Sequence, residues 1–299
     1  VKISGDVTIP SKINGYPVKY IYWCAFDSCR NITSITIPDS IVSIGGRAFS
    51  KCAAIKTINM SDNVKEIGVG AFDDTAYYCD ESNWQDGVLY IGNHLIRAKN
   101  TISGEYTIKE GTITIAAWAF IVCKDLTDIT IPESVINIGQ SSFENCDGLT
   151  KVTIPNSVTD IYSCAFRECD NLQNITLSDN LIGISNQMFS GCVDLTSITI
   201  PKCVAKVGDK AFANCENLSE ITKIATFDNW ENNEKSLATD TNVGGKWIPV
   251  EERLPEEDKY ILLTFANFTL PEIGKYEENN DGSGNFYLGD ELSGYNSLL

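Results

Sequence analysis

Residues 126–146 read L-T-D-I-T-I-P-E-S-V-I-N-I-G-Q-S-S-F-E-N-C, and the pattern returns at 149–169 as L-T-K-V-T-I-P-N-S-V-T-D-I-Y-S-C-A-F-R-E-C. Phe marks the period. Phe120, Phe143, Phe166, Phe189 and Phe212 stand 23 residues apart, as do Phe26, Phe49 and Phe72. The two series are separated by 48 residues, two periods plus two. Five residues before each Phe stands Ile or Val, from Ile21 to Val207. Three residues after stands Cys in seven of the eight copies, with Thr75 the exception. The consensus is L-x-x-I-x-I-P-x-x-V-x-x-I-G-x-x-A-F-x-x-C. A fixed period of this length signals units that stack into a solenoid, because no single unit can bury its own apolar side.

Each repeat carries its own local physics. The I-T-I alternation has period two and predicts a short strand with Ile inward. Pro ends the strand, since it has no N–H for the ladder. V-x-x-I predicts a second extended segment, and Gly45, Gly68, Gly139 and Gly208 would permit the bend that follows. A-F-x-x-C-x-x-L has spacings of three, which predict a helical turn burying Phe, Cys and Leu. At about 4.8 Å per strand, eight repeats make a sheet about 35–40 Å wide, too open for a small-molecule pocket.

These columns resemble the BspA-like, treponeme-type leucine-rich repeats of bacterial surface proteins. The resemblance rests on the I-P, I-G, A-F and Cys columns together and covers residues 5 to about 222. It implies a strand-rich α/β solenoid wound as a right-handed leucine-rich-repeat superhelix. It also implies a secreted or cell-surface location, and some members bind host matrix proteins.

Two irregularities interrupt the stack. The first repeat carries five extra residues around Gly15-Tyr16-Pro17. After Thr75 the pattern lapses, and Asp86-Gly87, Val88-Leu-Tyr-Ile91 and Gly92-Asn93 predict a β-hairpin insertion over about 76–104. The solenoid is therefore expected over 1–224. Residues 225–246 are polar and predict a cap or linker, with a terminal helix near Phe227 to Leu237. Residues 247–299 predict a small, mainly-β module. Its opening, Trp247-Ile-Pro-Val250 through Arg253-Leu-Pro255, resembles a bacterial and phage domain of unknown function. Members of that family close with a further Trp-containing segment absent here, so the module is expected to be cut short. The chain opens on Val1 without an initiator Met and shows no leader, so it is expected to be a piece of a longer protein.

Composition narrows the function classes. Hydrophobic residues make up 43% of the 299 and charged residues 21%, which suits a folded protein. A net charge of −17 repels nucleic acid and anionic membranes. No apolar run approaches a membrane span. The chain is expected to act as a monomer.

The candidate chemistry is thin. The Cys column shares an apolar face with Phe and Leu, where a free thiol behaves as a small hydrophobe. Cys24 and Cys164 form C-x4-C pairs with Cys29 and Cys169, a spacing used by zinc. Their column also holds Arg47, Trp118 and Lys210, so it reads as solvent-facing and the paired thiols should diverge. His94, the only His, is expected on a surface loop of the insertion. The acidic clusters Glu251-Glu252 and Glu256-Glu257-Asp258 read as solvated turns. Glu277 to Gly284 lacks the closing Glu of a calcium loop and reads as a hairpin turn. No catalytic residue, cofactor or metal ligand is expected.

What remains is a surface. The Thr between the two inward Ile positions must face outward, and its neighbour two residues before varies from repeat to repeat. Ser34, Thr36, Asp128, Thr130, Lys151, Thr153, Asn174, Thr176, Ser197 and Thr199 are the candidate partner-binding residues. Two readings compete for this column: β-propensity with a hydrogen-bonded Thr ladder, or a variable face that selects a partner. The expected function is a non-enzymatic scaffold that binds a protein or glycan, with host extracellular matrix a candidate. The alternative is an intracellular or phage-linked regulator whose specificity lies in the C-terminal module.

Overall fold

The computed structural model describes residues 3–223, together with the backbone of Leu262–Leu263, Lys275–Glu278 and Gly284–Tyr287. The expected terminal helix, linker and acidic clusters at 251–258 lie outside these residues. Lys275–Glu278 and Gly284–Tyr287 pair antiparallel, as a hairpin would.

Residues 3–223 form a strand-rich solenoid. Each coil contributes one strand to a first sheet and a two-residue strand to a second, and a turn segment closes it. The first sheet runs in three pieces. Gly5–Thr8, Ile32–Ile37 and Thr57–Met60 pair in parallel, as do Gly104–Thr107, Leu126–Thr130, Lys151–Thr153 and Asn174–Thr176, and then Ser197–Ile200 with Glu220–Lys223. Inward Ile and Val alternate with outward polar residues along every strand, which sets the register. The single broad sheet expected from the repeat is thus interrupted, most deeply between Thr57–Met60 and Gly104–Thr107.

The turn segment makes i→i−3 hydrogen bonds, such as Cys29 N to the Phe26 carbonyl at 3.0 Å, yet it does not run on as a helical turn. Residues two before and two after each Phe sit at positive φ, among them Arg47 and Lys51, Ser141 and Asn145, and Lys210 and Asn214. Val122 is one of them at φ 61°, a costly conformation for a β-branched residue. This backbone aims alternate N–H groups along the stack. In coil after coil the Phe N–H and its two left-handed neighbours donate to carbonyls of the following coil. Ser141, Phe143 and Asn145 bond Ser163, Ala165 and Arg167 at 2.8–3.0 Å. The coils are therefore tied together along the turn side as well as through the sheets.

The glycine column has a different role from the bend expected of it. Gly45, Gly68, Gly139 and Gly208 are not at positive φ. A Cβ on Gly139 would lie 2.5 Å from the Ala117 nitrogen of the previous coil. Glycine stands there because adjacent coils approach too closely for a side chain.

The insertion is a wall, not a protrusion. Val88–Ile91 is buried along its whole length and pairs antiparallel with His94–Ala98. Val88 and Tyr90 face one core, which continues to Phe212, while Leu89 and Ile91 face the other, which begins at Ile9. His94–Ala98 then pairs in parallel with Thr114–Ile115 and hands the second sheet on to the later coils. A single α-helical turn, Ala76–Cys79, leads into the hairpin, N-capped by the Thr75 hydroxyl, which accepts from the Tyr78 N–H at 3.0 Å. The one repeat that lacks Cys uses its Thr to leave the pattern. The five extra residues of the first coil also form a small hairpin, Lys12–Ile13 with Tyr16–Pro17, turning through Asn14 and Gly15 at positive φ.

Candidate functional site

The interior commits its side chains to stacking. Phe26, Phe49 and Phe72 form one ring stack and Phe120 to Phe212 another, with centroids 5.1–5.9 Å apart and planes within 14° of parallel. Five thiols of the Cys column do more than fill space. Cys52, Cys146, Cys169, Cys192 and Cys215 donate their thiols to the carbonyls of Phe26, Phe120, Phe143, Phe166 and Phe189, one coil back, at 3.0–3.1 Å. Burial pushes the Cys52 thiol up to about 12 and Cys215 to about 11, so neither is a thiolate nucleophile at neutral pH. Cys24 and Cys164 occupy the left-handed position two before Phe and are half-buried.

At the wall, aromatic side chains replace the ring stack. Ala98 takes the place of a Phe and donates to the Ala119 carbonyl at 2.6 Å. The Tyr106 ring comes from the first sheet and lies against Phe120, centroids 5.9 Å apart. Its hydroxyl meets that of Tyr90 at 3.2 Å, and Tyr77 donates to the Tyr90 carbonyl at 2.9 Å.

His94 departs from the expectation of a surface loop. It is 0% exposed, because both faces of its hairpin are packed, and its Nε2 lies 3.1 Å from the Ser61 carbonyl. It therefore offers no accessible base to a substrate.

The ten candidate surface residues fall on the outer face of the first sheet, in three groups. Ser34 and Thr36 pair with Thr57 and Asn59 before the wall. Beyond the wall, Asp128, Lys151 and Asn174 align in one row and Thr130, Thr153 and Thr176 lie in the next, Thr130 beside Thr107. Ser197 and Thr199 pair with Glu220 and Thr222 in the last piece. Thr130, Lys151, Thr153, Asn174, Thr176, Ser197 and Thr199 are exposed, while Ser34, Thr36 and Asp128 are half-buried.

Only Ser34 among the ten uses its side chain in a hydrogen bond within the described residues, donating to Asp6 at 2.7 Å. The Thr hydroxyls make no ladder with one another. Large exposed aromatics lie elsewhere: Tyr16 in the first-coil hairpin, and Tyr22, Trp23 and Trp118 near the turn segments. Sequence spacing gave no sign of them, since they occupy columns that vary freely.

Six copies of the BspA type leucine rich repeat region match the chain, over residues 6–103 and 98–219. Among solved structures, the T. pallidum leucine rich repeat protein TpLRR is 25% identical over 79% of this chain and 84% of its own, with a TM-score of 0.36. A leucine-rich repeat protein from Eubacterium ventriosum is 21% identical over 73% of this chain and 72% of its own, with a TM-score of 0.41. A leucine rich cell surface protein from Faecalibacterium prausnitzii is 21% identical over 81% and 92%, with a TM-score of 0.27. No curated protein matches.

Proposed function

The chain belongs to the BspA-type leucine-rich repeat family, and from that premise we propose that it is a non-enzymatic scaffold of the bacterial cell surface or secreted space. It binds a protein or glycan partner, host extracellular matrix included, through the outer face of the first sheet. One observation carries this reading: Thr130, Thr153, Thr176 and Thr199 stand exposed, Thr153 and Thr176 in register, and their hydroxyls make no hydrogen bond to the frame. Beside them Asp128, Lys151 and Asn174 vary the charge. Among the described residues the face carries no Trp, Tyr or Arg of the kind that anchors apolar protein interfaces. Its chemistry suits a polar, extended partner that accepts and donates hydrogen bonds.

The same reading assigns 1–224 to the solenoid, 225–246 to a cap or linker and 247–299 to a separate module. An array of matrix proteins and glycans tests it. We expect saturable binding that Thr153→Arg and Lys151→Glu each reduce tenfold or more. Absence of saturable binding to any arrayed ligand, or binding indifferent to both substitutions, rejects it.

A further inference from the structure

The place where the two cores meet holds the one imidazole of the chain. His94 opens the second strand of the wall. Its Nε2 reaches the Ser61 carbonyl, on the turn that follows Thr57–Met60. A carbonyl can only accept, so Nε2 carries the proton and Nδ1 is a bare acceptor. That Nδ1 is buried with no hydrogen-bond partner.

The surroundings bring little charge. Thr114 lies opposite in register, and its hydroxyl donates to the Val64 carbonyl at 3.0 Å. Ile91 pairs with His94 across the hairpin, and Tyr90 beside it faces the second core. On the third-coil turn the charged neighbour is Asp62, whose two oxygens the Asn93 side chain holds at 3.1 Å each; Lys65 on the same coil is exposed. Asn137 adds a bond across the seam, donating to the Lys65 carbonyl at 3.0 Å. Thr114 and Asn137 are buried here, although Glu66 and Lys206 in the same column are exposed. The third coil thus lies against the second sheet of the later coils, and side chains bond the carbonyls it presents there.

We propose that His94 is the latch of an acid-sensitive joint between the two halves of the solenoid: neutral, it ties the wall to the third coil; protonated, it loosens the seam so that the halves move and unfold independently. A proton on Nδ1 creates an N–H with no acceptor and a charge in a site closed to solvent. Burial holds the imidazole below its ordinary pKa, against smaller opposing effects of the Ser61 carbonyl and Asp62. A His depressed in the folded state contributes stability in full above the unfolded value of about 6.5, and loses it as pH falls below that value toward the folded one. The joint is closed at neutral pH and weakens in mild acid.

Two measurements test this. With one His, the imidazole C2–H resonance needs no assignment. Its titration midpoint is expected below about 6.5, and a midpoint at or above that value overturns the proposal. Thermal unfolding is then compared at pH 7.5 and 5.5 for wild type and His94→Gln, whose side-chain amide can still donate to Ser61 and does not titrate. Wild type is expected to lose about 2–4 °C more than the variant, with its transition splitting in two. Parallel curves for the two proteins contradict the joint. Should His94→Gln not fold, wild-type unfolding decides: one transition at pH 7.5 and two at pH 5.5 support the joint, and a single transition at both contradicts it.

Discussion

The turn side and the outer face of the first sheet are built from the same 23-residue unit, yet they treat polar groups in opposite ways. On the turn side, thiol, N–H and carbonyl are committed to the neighbouring coil: Cys169 to Phe143, Phe143 N–H to Ala165. On the sheet face, Thr153 and Thr176 sit side by side with their hydroxyls uncommitted. The repeat separates what must recur for coils to stack from what can vary without disturbing the stack. A binding scaffold needs that separation.

The comparison can be broken most forcefully in the ring stack. Phe143 is fully buried between Phe120 and Phe166. Phe143→Ala removes both stacking partners and leaves a cavity, so urea unfolding should show a loss of about 3–5 kcal/mol. A smaller effect falls on the thiol. Cys169→Ala removes a buried donor while Phe143 O keeps the Cys146 N–H, so a loss of about 1–2 kcal/mol is expected in the same measurement. A neutral Cys169→Ala would show that the thiol contributes neither packing nor a hydrogen bond to the stack.

Much of this was legible in the sequence. The period, the inward Ile and Phe columns and the outward Thr follow from spacing alone, because a strand of period two leaves no choice of face. The thiol ladder was not legible, since a small hydrophobe and a buried donor leave the same pattern. The left-handed residues were hidden too: Arg47, Trp118 and Glu168 fill positions where glycine would have signalled positive φ. The role of Gly139 was misjudged because contact with the previous coil, not its own turn, excludes a side chain. The insertion was read correctly as a hairpin. Its burial was written in the unbroken run Val88-Leu-Tyr-Ile91, which suits a strand covered on both faces. That run also explains why His94 lies inside.

The sheet face offers the smallest stability effect and the sharpest test. Thr130→Val/Thr153→Val/Thr176→Val removes three hydroxyls and keeps β-branched shape. Equilibrium urea unfolding of this triple variant should match wild type within about 0.5 kcal/mol or exceed it, since no frame hydrogen bond is lost. A loss of about 2 kcal/mol or more would show that the hydroxyls hold the coils together, and would contradict a face left free for a partner.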